Sequence, residues 1–166
     1  AEQAIARSMV SIHFTNAISH MAMVAPHGGG EARYLTNPFT VGIPIAGGEP
    51  IVLDFATSAV AHGKVRVAYN KGAAMPPGCL IDAEGRPTND PAAMFEPESG
   101  PFGALLTTGG HKGHALAMVC ELLGAALSGG ETLHPGNPLP VNGVWNNMLA
   151  IVFDPCLLYT SDAADD

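Results

Sequence analysis

Gly109-Gly110-His111-Lys112-Gly113-His114 packs two imidazoles, an ammonium and three glycines into six residues. The apolar run behind it places Leu116, Val119, Cys120, Leu123 and Leu127 at helical spacing, so the six residues stand where a helix begins. Gly129 and Gly130 are expected to end that helix. A helix start leaves backbone N–H groups free and carries the positive end of the dipole, and Lys112 adds a full charge, so an anion is attracted there. An ordinary start would place Ser, Asp or Thr at the cap. Here the side chains stay small and leave room for a close approach. Two readings remain open at this point: an anion or phosphate site, and a plain glycine-rich turn.

A second stretch pairs an acid with hydroxyls. Ile51-Val-Leu53 is apolar on consecutive positions and reads as a short strand buried on both faces. Asp54-Phe-Ala-Thr-Ser58 then switches to a helix expected from about Thr57 to Asn70, capped by Thr57 or Ser58 and ended by Lys71-Gly72. An acid at the end of a buried strand before a helix start is where open α/β folds bind ligands. The alternative is that Asp54 only caps the helix.

Other chemistries find less support. Seven histidines invite a metal reading, with His111 and His114 three apart and His20 and His27 in a loop. No carboxylate stands at H-E-x-x-H spacing and no cysteine pair is near, so these side chains are expected to hydrogen-bond or pack, and no metal site is assigned. A G-x-S-x-G elbow is absent, and Ser58 and Ser128 have no base beside them. Neither G-x-G-x-x-G nor a Walker A motif occurs, so any dinucleotide must rest on another scaffold.

The elements around these residues are short and turn-rich. With 166 residues, 47 % of them hydrophobic and 13 % charged, the chain can form one domain with a core. Its twenty glycines and fourteen prolines are scattered, which suits a compact α/β or α+β domain with tight turns. Met9–Phe14, Phe39–Ile43 and Met148–Asp154 read as strands. Residues 73–101 and 133–142 read as Pro/Gly-rich loops, the first ordered by packing rather than regular structure. A net charge of −8 without a basic stripe excludes nucleic acid as a partner. The longest apolar run contains Glu121 and is too short to span a bilayer. Cys79, Cys120 and Cys156 lack metal-type spacing and suit a reducing, cytoplasmic compartment. Ala1-Glu-Gln begins without methionine, and the expectation is a piece of a longer protein.

The segments Ala25-Pro-His-Gly-Gly-Gly-Glu-Ala-Arg-Tyr-Leu-Thr-Asn-Pro38, Val52-Leu-Asp-Phe-Ala-Thr-Ser58, Pro76-Pro-Gly-Cys-Leu-Ile-Asp82 and His111-Lys-Gly-His-Ala-Leu116 together resemble the type-2 malate/L-lactate dehydrogenase family. The likeness runs from Ala1 to about Pro155, as the central NAD(P)-binding part of such a domain. The remaining 156–166 resemble a translated sequencing adapter and are expected to be non-native. The resemblance implies a non-Rossmann α/β fold, a largely antiparallel sheet with packed helices, here truncated at both ends. It also implies an NAD- or NADP-dependent oxidoreductase that interconverts small 2-oxo and 2-hydroxy carboxylates and dimerises as a full-length protein.

By the same resemblance Val52, Leu53, Asp54, Phe55, Ala56, His111, Lys112 and Asn146 contact the cofactor, and Thr36 and Asn37 lie near the substrate. Two positions depart from the family: Leu35 replaces a glycine before Thr-Asn-Pro, and His114 replaces an aromatic residue. The family's catalytic histidine would precede residue 1, so no histidine here is assigned as proton donor. A loop completing the cofactor pocket would follow Pro155. The expectation is therefore a cofactor cradle without its acid, inactive alone. The rival readings are a non-catalytic module binding a phosphate or carboxylate metabolite, and a metal hydrolase using His111 and His114.

Overall fold

The computed structural model describes residues 1–96, 101–134, 136–137 and 143–158. The expected non-native tail from residue 159 onward lies outside these, as do residues 97–100 of the long excursion and 135 and 138–142 of the second loop.

Four antiparallel strands form the main sheet, in the order β3 (Ile51–Phe55), β2 (Phe39–Ile43), β1 (Val10–Ser19) and β7 (Val144–Phe153). β1 (Val10–Ser19) and β7 (Val144–Phe153) run the full length of one another, from Val10 opposite Phe153 to Ser19 opposite Val144. Both extend beyond the stretches that alternation marks, because ten paired residues support each other's backbone bonds across polar positions such as Asn16 and Asn147. β2 (Phe39–Ile43) and β3 (Ile51–Phe55) complete the sheet through the Gly47-Gly48 turn. A four-residue helix, α1 (Glu2–Ile5), lies over one end at Gly42, where a Cβ would stand 3.0 Å from both Ala1 and Ile5.

The second layer is a small sheet, β5-β4-β6 (Pro87–Thr88, Leu80–Ile81, Ala104–Leu105), with α2 (His62–Asn70) and a 3-10 turn (Pro91–Met94). Val24, Val65, Met75, Leu80, Met94 and Leu105 form its apolar core. The excursion after residue 73 thus contains two-residue strands as well as turns.

Three expectations need correction. Ile51, Val52 and Leu53 are 55 %, 50 % and 46 % exposed, not buried on both faces, because β3 is the outer strand of the sheet among the described residues. The helix expected from Thr57 starts only at His62, with uncapped Ala61 at its N-cap. Thr57–Ala59 pairs instead with Leu106–Thr108: Thr108 N–H donates to Thr57 O at 2.9 Å and Ala59 N–H to Leu106 O at 2.7 Å. That long-range pairing overrides the local capping signal. The helix does end at Lys71-Gly72, with Gly72 at φ +62°.

The third correction concerns α3 (His111–Glu121), which runs on into a π turn (Leu122–Ala126). Its buried side is made of Gly113, Ala117, Cys120 and Glu121, then Gly124 and Ala125. Val119 and Leu127 of the expected apolar stripe are exposed, with Met118 and Leu122. The reason is closeness. A Cβ on Gly124 would stand 2.7 Å from Phe14 O, so only small residues fit between this segment and β1.

Candidate functional site

The glycine turn before α3 is built from Thr107-Thr108-Gly109-Gly110. Gly109 and Gly110 take φ +58° and +62°, conformations that side chains resist. Thr107 Oγ1 donates to Gly110 O at 2.7 Å. The N–H groups of Gly110, Gly113 and His114 donate to Thr107, Thr108 and Gly110 carbonyls, and that of Lys112 reaches Gly109 O at 3.4 Å. The expected row of free N–H groups is therefore largely consumed within the turn. What remains for an anion is the Lys112 charge and the helix dipole. Lys112 and His111 are both exposed.

This turn meets the exit of β3. Thr57 accepts from Thr108 N–H, and donates through its own N–H and Oγ1 to Thr36 O at 2.9 and 3.0 Å. Two stretches far apart in sequence, 52–58 and 107–114, thus share a seam of backbone hydrogen bonds. Thr36, half-buried, stands at that seam.

Beside the turn lies a groove of about 370 Å³ lined by His27, Gly28, Ala59, Gly78, Leu106 and Thr107–Gly110. The His27 ring stands edge-on to His111 with centroids 5.9 Å apart. His27 N–H donates to His114 Nδ1 at 3.2 Å, so the neutral His114 ring carries its proton on Nε2, directed toward the Tyr34 hydroxyl 3.5 Å away. His114 thereby ties the first turn of α3 to the loop that carries His27 and Tyr34. Burial and the charge of Glu121 push the Tyr34 hydroxyl above its ordinary range. Among the described residues no group of three or more His, Cys, Asp or Glu side chains could hold a metal ion.

Asp54 faces elsewhere. The register aligns His13, Thr40 and Asp54 on one face of the sheet, and Thr40 Oγ1 donates to Asp54 Oδ1 at 2.8 Å. These three, with Ala1, Glu2, Gln3, Thr15, Val52 and Met148, line a cleft of about 540 Å³. Asp54 therefore does not cap a helix. Burial holds His13 below the ordinary imidazole range, aided by the amino-terminal charge and opposed by Asp54. Leu53 and Phe55 point to the opposite face, where Phe55 meets the Phe39 ring edge-on at 6.1 Å. Ala56, half-buried, leads into the seam. His111 and Lys112 do not line the Asp54 cleft; backbone hydrogen bonds at Thr57 and Thr108 join the two halves. Asn146 pairs with Ala17 on β7, the opposite edge of the sheet from β3, and is exposed.

Asn37 is fully buried at φ +28°. Its Oδ1 accepts from Ala17 N–H, and its Nδ2 donates to Ala117 O and to Glu121 Oε2. Asn16 Nδ2 donates to the same Glu121 oxygen at 3.0 Å. Sequence reasoning assigned no role to Asn16, Tyr34 or Glu121. The one available signal was a lone carboxylate inside an apolar helical run, which must find partners if buried.

A profile of the family described as Malate/L-lactate dehydrogenase matches residues 1–166. The antiparallel layers and the glycine-opened helix belong to that class of fold, and this chain is a member of the malate/L-lactate dehydrogenase family. It is 48 % identical over 163 residues to hydroxycarboxylate dehydrogenase B of Escherichia coli (strain K12), covering 98 % of this chain and 44 % of that protein. Identity to L-lactate dehydrogenase of Cupriavidus necator is 46 % over 158 residues, covering 94 % and 44 %. The crystal structure of delta1-piperideine-2-carboxylate reductase from Pseudomonas syringae superposes with a TM-score of 0.78 at 42 % identity, over 93 % of this chain and 45 % of that one. The chain thus spans less than half the length of the relatives it matches.

Proposed function

We propose that this chain forms part of an NAD(P)-dependent oxidoreductase acting between 2-oxo and 2-hydroxy carboxylates. The observation that carries the reading is the seam joining the β3 exit to the α3 start, where Thr57 O accepts from Thr108 N–H. It ties the β3 exit to the turn that opens the helix carrying Lys112, an arrangement that would suit a flat amide at one end of a ligand and a diphosphate at the other.

The residues present fit such a group. Gly109 and Gly110 keep side chains off the approach to the turn, and the His27 ring, lying just beyond Gly110, walls the groove. Lys112 and His111 would hold the diphosphate side and the Val52–Ala56 stretch the nicotinamide side, with Val52, Leu53 and Asp54 exposed and Phe55 and Ala56 half-buried. A bound nicotinamide supplies or accepts hydride. The chain's own part is to bind and orient, and the dinucleotide is NAD or NADP.

Relatives named as hydroxycarboxylate and lactate dehydrogenases support a 2-oxo or 2-hydroxy acid as substrate class. We assign no proton donor within residues 1–158 and propose that the 166-residue chain binds the dinucleotide without turnover. The test is a fluorescence titration with NADH and NADPH against AMP and inorganic diphosphate, with phenylpyruvate or 2-oxoglutarate added last. Nicotinamide dinucleotides should bind tighter than AMP, and NADH should not be consumed. Equal affinity for AMP and NADH would favour the metabolite-binding module, and consumption of NADH would refute binding without turnover.

A further inference from the structure

We propose that Glu121 and Asn37 are positioning residues that hold the two halves of the dinucleotide site in register. The proposal rests on the function proposed above for what the site binds, and on the hydrogen-bond network alone for how it is held.

The side-chain amides around Glu121 have no rotational choice. Asn37 accepts Ala17 N–H at 3.1 Å through Oδ1 and donates to Ala117 O at 3.2 Å through Nδ2. A flip would set donor against donor and acceptor against acceptor. Asn147 Nδ2 donates to Glu131 O at 3.1 Å and to Asn16 Oδ1 at 2.7 Å. That fixes Asn16 with its Nδ2 toward Glu121. Leu133 N–H donates to the other carboxyl oxygen, Oε1, at 2.9 Å. Three N–H groups from three separate segments therefore converge on one carboxylate. The position demands a group that only accepts, and glutamine would place an N–H against at least one of these donors.

The network continues toward the site. Asn37 sits at a positive φ, which asparagine tolerates better than most side chains, and its hydrogen bonds to Glu121, Ala17 and Ala117 fix it there. One residue earlier, Thr36 O takes both hydrogen bonds from Thr57, and Thr57 O takes Thr108 N–H. A continuous polar path thus runs from the end of α3, through the 36–37 loop and the β3 exit, back to the turn that opens α3. Every polar atom of the Asn37 side chain is engaged inside the protein, so its part in the site is to hold the 36–37 loop.

The test replaces Asn37→Asp in the 166-residue chain and compares it with the double variant Asn37→Asp/Glu121→Gln. In the single variant the carboxylate introduced at position 37 faces Glu121 Oε2 and Ala117 O, acceptor against acceptor. In the double variant the amide introduced at position 121 donates to it, which restores the hydrogen bond between the two positions. Amide hydrogen exchange and NADH titration are the readouts. For N37D, exchange at Thr57 and Thr108 should rise about tenfold, exchange at Asp82 beside the small sheet should not change, and NADH affinity should fall about tenfold. The double variant should recover part of both losses. Unchanged exchange at Thr57 and Thr108, a uniform rise that includes Asp82, or no recovery in the double variant would each overturn the proposal. Should N37D fail to fold, a folded double variant supports the proposal and an unfolded one overturns it. If the unmodified chain has no affinity for NADH, the functional reading fails, and the exchange pattern alone decides whether Glu121 positions the seam.

Discussion

Replacing Gly113 by alanine should destabilise the chain, although alanine is the better helix former. In an open helix interior the exchange gains about 1 kcal/mol from the entropy of the unfolded chain. At Gly113 the added methyl would overlap Thr108 O and stand 2.8 Å from Thr108 N and 2.9 Å from Thr57 O, all backbone atoms. Relief requires the turn to move, which gives up the hydrogen bonds Gly113 N–H to Thr108 O and Thr108 N–H to Thr57 O, each 2.9 Å. Two buried backbone bonds lost at about 1–2 kcal/mol each outweigh the gain, for a net cost of about 2 kcal/mol. With a urea slope of about 2 kcal/mol per molar, the midpoint should fall by about 1 M. Gly63→Ala in α2 is the control: apart from its chain neighbours and its own helix backbone, nothing lies within 4 Å of its Cβ position, so its midpoint should rise slightly. NADH affinity should weaken for G113A and stay constant for G63A. A G113A midpoint at or above that of the unmodified chain would refute the close approach of α3 to the Thr57–Thr108 seam.

Lys112→Met should weaken NADH and ADP equally, by about fivefold at low salt, with the difference shrinking as salt screens the exposed charge; calorimetry at two ionic strengths checks this. Burial pushes the Cys120 thiol up to about 11, so an aromatic disulfide reagent at pH 8 should titrate exposed Cys156 and leave Cys120 and Cys79 untouched until urea is added. For the same reason the unfolded chain surrenders the Cys120 proton first, and stability should decline as pH rises above 9. Burial and neighbouring Arg66 hold His62 below 6.5, so the unfolded chain binds that proton more readily. Stability is then lost as pH falls through 6.5, and His62→Gln should flatten this limb in urea melts at stepped pH.

Much of the architecture was legible in residue types. β-Branched and aromatic runs marked β1, β2 and β7, the Gly47-Gly48 turn lay where glycines cluster, and Lys71-Gly72 closed α2. The glycine-opened start of α3 was visible because two consecutive glycines before an apolar helical run have few other uses. These are local signals, set by backbone sterics and hydrogen bonds between near neighbours.

Sequence spacing could not say which face of α3 is buried, since the bulky stripe and the small-residue stripe are both periodic. Only the approach of β1 selects Gly113, Ala117, Cys120 and Gly124 for the inside. Nor could it show that β3 is an edge: consecutive apolar residues are read as two-sided burial until the strand order is known. Thr57 looked like a cap because capping is a contact within three residues, whereas its actual partners are Thr36 and Thr108. Glu121, Asn16, Asn37 and Asn147 come from four separate segments, and the carboxylate's role follows from donors that meet only after the chain has folded. Residue types alone determined which pieces would form, because local forces decide that. Which pieces touch, and hence what Asn37 and Glu121 do, was decided by long-range packing.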